Sequence, residues 1–396
     1  MIAPHPPARA RSSQAPRIVD VINLSSSAQA LLRERVLALR AKGVDNHIVC
    51  IDGPYVQSLR AAGIPVATYH LPRGFDPFRL LWSLVQLTAY LRRVKPDLVH
   101  AHCLVPGLVG RLAARLAGVP VIMYTAHGFH FHDGSRGLSH WAGLAAEWIG
   151  GQLGDVLLTQ NRADVEQAVR YRIARRDQVH FVGNGIAVDR FPVAPAPRAS
   201  ERPVVITCVA RLEPVKNHEL VLEAAHRLVE RGVAFEIRLV GNGPRRAALE
   251  ARAAELGLGG HVRFLGYRDD IPALLAGSDI GVLTSLKEGI PRAALESMAV
   301  GLPMVATRVN GTREVVRHGD TGFLVEVHDA RALAEALERL ARDPALRARM
   351  GERGREVVRT EFDESVIVRR LERMYRECLT RRGIRVPDAL AREVGA

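Results

Sequence analysis

The chain of 396 residues has no CxxC pair. Its four cysteines, Cys50, Cys103, Cys208 and Cys378, are scattered. That excludes a zinc knuckle and a disulfide-stapled scaffold, and it suits a reducing compartment. Lysine is equally scarce: Lys42, Lys95, Lys216 and Lys287 stand among 55 basic residues, the rest arginine. No run approaches the roughly 18 apolar residues of a membrane-spanning helix. Residues 1–16 lack the apolar segment of a signal peptide and read as a disordered tail, so the expected location is cytoplasmic. Aromatics make up only 5%, and no stacking stripe, zinc finger or recognition helix supports a nucleic-acid binder. The net charge of +13 favours anionic partners, whether phosphorylated ligands or an anionic membrane surface. An arginine-rich solvated surface accounts for it equally well.

What the chain does have is alternation. Short apolar segments such as "RIVDVIN", "DLVHAH" and "VPVIMYTAH" are interleaved with amphipathic helical stretches. This is the pattern of a parallel sheet covered on both faces. "FPVAPAPRASERP", residues 191–203, interrupts it with a Pro-rich linker, after which the alternation restarts at "VVITCVA". The expected organisation is a tail (1–16), a Rossmann-like domain (17–190), the linker, a second Rossmann-like domain (204–361) and a C-terminal helix and tail (362–396). The fold class is thus α/β: two doubly wound domains facing across a cleft, with the C-terminal helix returning to the first. Ligands in such sheets bind beyond the C-terminal strand ends, so function is sought in the turns that follow strands.

Three turns of the second half stand out. In "ARLEPVKNH", Arg211 sits at a strand end and Lys216 at the start of the next helix. Two cations beside a helix N-terminus suit a diphosphate. In "VGNGPRR", Gly241 and Gly243 permit a tight turn or a close backbone approach, but the full dinucleotide fingerprint is missing because alanines follow at 247 and 248. In "SLKEGIPRAALESMA", Glu288 and Glu296 flank Gly289, Ile290, Pro291 and Arg292. Pro291 suits the first helical position, and the amides around it would point out of the helix start. A carboxylate accepts two hydrogen bonds and so clamps a vicinal diol. The order carboxylate, amides, carboxylate matches the ribose, diphosphate and sugar of a nucleotide-sugar.

These motifs resemble the nucleotide-sugar domain of family 4 retaining glycosyltransferases, which have the GT-B fold. "LVGNGP", "VRFLGYRDDIPALLAGSDI" and "GTREVVRHGDTGFLV" extend the likeness. "DLVHAHCLVPGLVGRLAARLAGVPVIMYTAHGFHFHDG" is similar to the acceptor domain of bacterial capsule, exopolysaccharide and lipid-linked glycan enzymes. The resemblance implies that Glu296 binds the ribose, that Glu288 binds the transferred sugar, and that Arg211 and Lys216 neutralise the departing diphosphate. It implies too that His127 hydrogen-bonds sugar or phosphate and that Tyr267 lines the base pocket. It implies a UDP-sugar donor with N-acetylhexosamine among the candidates, a polyprenyl-diphosphate-linked acceptor, and no metal or other cofactor. One departure is "NLSSSAQ", with Ser25–Ser27 where many relatives carry Gly-Gly.

His100, His102, His130 and His132 recur at i, i+2 spacing. With Asp133 they offer a zinc-like set, against the simpler reading of cleft histidines that orient an acceptor. The helix over 77–95 could lie on an anionic membrane; packing on its sheet is the simpler expectation. A sugar-nucleotide epimerase of the same architecture is the rival enzyme.

Overall fold

Strands rich in valine, isoleucine and leucine, buried on both faces, form two all-parallel sheets. A computed structural model describes residues 15–70, 76–129, 137–193 and 202–391. The chain divides into two units, Met1–Val182 with Val368–Ala396, and Gly183–Ile367.

The first unit contains β1 (Arg17–Val21), α1 (Ser25–Leu31), α2 (Arg33–Ala41), β2 (Asp45–Cys50), α3 (Val56–Ala61), β3 (Val66–Thr68) and α4 (Pro77–Val94). It continues with β4 (Leu98–His102), α5 (Leu104–Ala117), β5 (Val121–Ala126), α6 (Leu138–Leu153), β6 (Val156–Thr159), α7 (Arg162–Arg170) and β7 (Val179–Phe181). The strand order is β3-β2-β1-β4-β5-β6-β7, so the winding reverses between β1 and β4. The helical stretch after β1 is broken at Leu32 (φ −115°, ψ −28°), which turns into the core with Ala28, Val36 and Ile48.

In α4, Asp76 caps the N-terminus by accepting from the Arg79 amide at 3.1 Å. Leu87, Tyr90 and Leu91 pack on the sheet. The opposite face does not pack: Phe78, Leu81, Trp82 and Val85 are exposed. Between α5 and α6 lies a buried ion pair. Arg111 stacks 3.8 Å from the centroid of Tyr124. Glu147 accepts from Arg111 at 3.3 Å and from the Tyr124 hydroxyl at 2.6 Å. Gly150 makes room for it, since a Cβ there would lie 2.2 Å from the guanidinium.

The second unit contains β8 (Val204–Val209), α8 (His218–Glu230), β9 (Phe235–Val240), α9 (Arg246–Glu255), β10 (Val262–Gly266), α10 (Ile271–Ala276) and β11 (Ile280–Leu283). Then come α11 (Arg292–Ala299), β12 (Met304–Thr307), α12 (Asn310–Val315), β13 (Gly322–Val325), α13 (Ala330–Arg342) and α14 (Pro344–Glu361). The order β10-β9-β8-β11-β12-β13 reverses between β8 and β11. The last long helix, α15 (Glu364–Arg381), and the short α16 (Asp388–Ala391) carry the chain back into the first unit from Val368.

The division at Val182/Gly183 falls ahead of the stretch 191–203 read as a linker. Residues 194–201 of that stretch lie outside the described residues. Phe191 is buried in the second unit's core with Ile186 and Leu295.

Candidate functional site

In a doubly wound sheet the turns on either side of the switch point splay apart and leave a crevice. In the second unit those turns follow β8 and β11, and they carry the cation-rich loop and the two-glutamate loop. The chain brings them together. Lys216 Nζ donates to Glu288 Oε1 at 2.6 Å, and Ser285 Oγ donates to the same oxygen at 2.6 Å. The loops are also stitched through the backbone. The Leu286 amide donates to the Val215 carbonyl at 2.8 Å, and the Thr284 hydroxyl lies 2.9 Å from the Asn217 carbonyl oxygen. Lys216 does not begin a helix as expected. It closes a 3-10 turn, Pro214–Lys216, and Asn217 in the left-handed region (φ 49°) separates it from α8. Arg211 is more exposed and pairs with Glu213 at 2.5 Å.

The β9–α9 turn is held against the Arg211 loop by its glycines. Gly241 has φ +141°, and a Cβ there would lie 2.1 Å from the Ala210 carbonyl oxygen; at Gly243 the Leu212 oxygen would be 2.3 Å away. Both are thus needed for backbone approach. Tyr267, after β10, is largely exposed.

Pro291 is not the first residue of α11 but its N-cap, with ψ 107°. Its carbonyl accepts from the amides of Ala294 and Leu295 at 3.1 and 3.2 Å. This leaves Arg292 and Ala293 as the first helical residues, whose amides have no partner one turn back. Ile290 is buried. Arg292 donates to the Gly185 carbonyl at 2.9 Å and lies 3.7 Å from Glu296. Burial raises the Glu296 carboxyl above its usual range, and the Arg292 and Arg190 cations only partly offset that.

Gly311, at the start of α12, was not singled out from the sequence. A Cβ on it would sit 1.7 Å from the Gly289 carbonyl oxygen. Gly311→Ala is therefore expected to push the Glu288–Pro291 loop off its seat. Overpacking of this kind costs about 1–3 kcal/mol. Thermal melts together with donor titrations would check it: unchanged melting and unchanged donor affinity would show the loop to be free of that contact.

In the first unit the polar residues gather at the β1/β4 switch point. Asp20 on β1 is fully buried and paired with Arg35; it also accepts from Asn46 Nδ2 at 2.8 Å. His102 Nε2 lies 3.0 Å from Asp20 Oδ1, and His102 Nδ1 lies 3.3 Å from His127 Nε2. Gln160 Nε2 lies 2.8 Å from His127 Nδ1. A carboxylate only accepts, so His102 carries its proton on Nε2. Its Nδ1 then accepts from His127 Nε2–H, and His127 Nδ1 accepts from the amide. The chain of bonds is complete with both rings neutral. Burial depresses the His127 pKa to about 3, helped by His102 and Arg35. Burial also lowers His102, against the pull of Asp20. Burial works to raise Asp20 as well, but Arg35, His102 and Asn46 hold it low. The 3.3 Å contact between His102 and His127 is the longest in the chain.

His100 and His102 were expected to orient an acceptor directly. Burial prevents this, since both are almost wholly inaccessible. His100 Nδ1 meets the Tyr375 hydroxyl at 2.5 Å, and its Nε2 meets Thr125 Oγ1 at 2.6 Å. Asp20, His100 and His102 lie close enough to hold an ion, but the Arg35 guanidinium occupies Asp20 and both His100 nitrogens are bonded. The donor set therefore does not fit a divalent cation. His130 and His132 lie outside the described residues. Ser25, the start of the loop without Gly-Gly, is buried and heads α1.

Residues 192–357 match the family described as glycosyl transferases group 1, and residues 21–148 match that described as glycosyl transferase 4-like. The chain is 30% identical over 346 residues to the UDP-Gal:alpha-D-GlcNAc-diphosphoundecaprenol alpha-1,3-galactosyltransferase of Escherichia coli, covering 83% of this chain and 88% of that protein. It is 24% identical over 371 residues to the capsular polysaccharide biosynthesis glycosyltransferase CapM of Staphylococcus aureus, covering 91% and 96%. Among solved structures, Anabaena Alr3699/HepE in complex with UDP and glucose has a TM-score of 0.77 at 21% identity, covering 91% of this chain and 99% of that one. The sucrose-phosphate synthase of Thermosynechococcus elongatus has a TM-score of 0.78 at 20% identity, covering 92% and 100%.

Proposed function

Because the chain belongs to the group 1 glycosyl transferases, we propose that it is a retaining enzyme of surface polysaccharide synthesis. It moves a sugar from a UDP-sugar, N-acetylhexosamine being one candidate, to a glycan acceptor carried on a polyprenyl diphosphate. The observation that carries this is the Lys216–Glu288 pair, which joins the two switch-point turns. It sets a cation for the diphosphate beside a carboxylate for the sugar. The E. coli relative, whose name specifies both UDP-Gal and a diphosphoundecaprenol acceptor, supports the donor and acceptor classes.

In the reaction the bond from the anomeric carbon to the phosphate oxygen breaks. The acceptor oxygen forms its bond on the same face and passes its proton to the leaving phosphate. No enzyme nucleophile is needed, which separates this chemistry from the paired-carboxylate hydrolases. Arg211, Lys216 and the amides of Ile290, Arg292 and Ala293 stabilise the charge gathering on the diphosphate, without reorganising. Glu296 holds the ribose diol, Tyr267 borders the base, and the β9–α9 glycines let that turn approach. In the first unit, His127 gives its Nε2–H to a ligand oxygen. The enzyme works in the cytoplasm, peripherally on the inner face of the membrane that carries its acceptor.

The test is a panel of UDP- and GDP-sugars with lipid-diphosphate acceptors. Nucleotide release that requires acceptor, with the product anomer matching the donor, supports the reading. A changed sugar on an intact nucleotide would instead mean epimerisation, which is not favoured because the relatives named above are transferases. Glu296→Gln is expected to weaken donor binding about ten-fold, ~1.4 kcal/mol. The wild type should also lose donor affinity as pH falls, starting above the ordinary carboxylate range because burial raises Glu296. Titration calorimetry at several pH values would read both effects. A pH response that survives in Glu296→Gln would assign it elsewhere.

A further inference from the structure

Tryptophan occurs three times in the sequence, at 82, 141 and 148, and each one is exposed: Trp82 59%, Trp141 66% and Trp148 49%. Large aromatics are mostly buried in globular proteins, so three exposed tryptophans on one layer of one unit need a reason. Trp82 belongs to a stripe on α4 with Phe78, Leu81 and Val85, at the i, i+3, i+4, i+7 spacing of a single helix face. Trp141 and Trp148, seven residues apart on α6, form a second stripe. The helices flank α5: Leu80 of α4 and Ala146 of α6 pack around Leu104, Val105 and Leu108. Helices that follow parallel strands start at the C-terminal strand ends, so Phe78, Trp82 and Trp141 lie at the end of the sheet that bears His127.

The charges point to the occupant. α4 has no acidic residue, and Arg79, Arg92 and Arg93 on it are exposed. α6 has a single acid, Glu147, which is buried against Arg111 and Tyr124. Among the described residues of α4 and its N-cap the one carboxylate is Asp76, which pairs with Arg79 at 3.4 Å and leaves Arg92 and Arg93 as its cations. Apolar aromatic stripes with cations and almost no carboxylates suit a bilayer surface with anionic headgroups, where tryptophan favours the boundary between water and acyl chain.

We infer that the exposed faces of α4 and α6 are a lipid-docking surface that seats the first unit on an anionic bilayer with the two helices lying along it. This deepens the lipid-linked acceptor proposed above and rests on it for its purpose. Its test uses neither donor nor acceptor, so the two fail separately.

Because every tryptophan of the full chain lies on this face, intrinsic emission reports the face directly. With vesicles of phosphatidylcholine containing about 30% phosphatidylglycerol, the expected result is a blue shift, quenching by brominated acyl chains, and co-sedimentation that weakens with salt. Phosphatidylcholine alone should bind less. Phe78→Ser with Trp82→Ser should reduce co-sedimentation about ten-fold or more with melting unchanged, since neither side chain is in the core. Unshifted emission with anionic vesicles would overturn the inference. So would a blue shift that grows with protein concentration without lipid and is accompanied by dimers in sedimentation equilibrium, which would give the face to a second copy of the chain.

Discussion

Lys216→Ala is expected to lower kcat by about 10²–10³, the loss typical when one fixed donor to a developing anion is removed. The donor KM should change less. Lys216 is half-buried and its Nζ is already oriented by Glu288 at 2.6 Å, so in the proposed reaction its charge is in place before the sugar–phosphate bond begins to break. Steady-state rates at saturating donor would measure this, and near-normal turnover would remove charge stabilisation by Lys216 from the mechanism. The pair also raises a question of roles. Glu288 could serve the reaction by contacting the sugar or by aiming the lysine, and a double-mutant cycle separates the two. If Glu288 only aims Lys216, Glu288→Ala will cost nothing further in the Lys216→Ala background. If it binds sugar hydroxyls, the second substitution will cost additional turnover or acceptor-independent donor affinity. We expect the second outcome, because Ser285 still holds the carboxylate when the lysine is gone.

Asp20→Ala should have the largest effect on stability, about 3–5 kcal/mol, because it leaves the buried Arg35 guanidinium without its counter-charge. Denaturant melts would measure it. The same substitution removes the acceptor that fixes the His102 proton on Nε2. The wild type should be acid-sensitive for a related reason. His100, His102 and His127 all have pKa values below the ordinary histidine value in the folded chain, through burial first. As pH drops below about 6.5 the unfolded chain takes up protons that the native one refuses, and stability falls. Asp20, held low when folded, adds to the loss in the carboxylate range. A melting temperature independent of pH between 7 and 4 would mean that these rings are not held neutral.

The sequence carried the alternation of strand and helix, and with it the two parallel sheets, because hydrophobic periodicity is a local property. It also carried the loops of the second switch point. Lys216 stood out by rarity, and Glu288 and Glu296 by their spacing around a glycine and a proline. Pairings over long sequence distances were not legible. Nothing local indicates that Lys216 and Glu288 share a proton contact, that Gly311 seats the Gly289 carbonyl, or that Gln160 holds His127. One local signal does point to a partner: Asp20 in "RIVDVIN" is a lone carboxylate in an otherwise apolar strand, which must be paired if the strand is buried. The histidines of β4 have the spacing of ligand contacts, whereas burial makes His102 a support for His127 and His100 a link between Thr125 and Tyr375. The α4 face shows the same limit in reverse. Its apolar spacing fits packing and exposure alike, and only the positions of its neighbours decide which residues stay in water.

Tyr375 lies 275 positions along the chain from His100, the ring its hydroxyl meets. The first unit is therefore not finished when its seventh strand leaves the ribosome. While the whole second unit is being synthesised, His100 Nδ1 waits without this partner, and so does the surface later covered by the segment from Val368 onward. A nascent chain stalled before α15 should hold a first unit that is loosely packed and open to chaperones and proteases. Translation through α15 is then the event that locks its histidine network, making that helix a completion signal for a unit begun at β1.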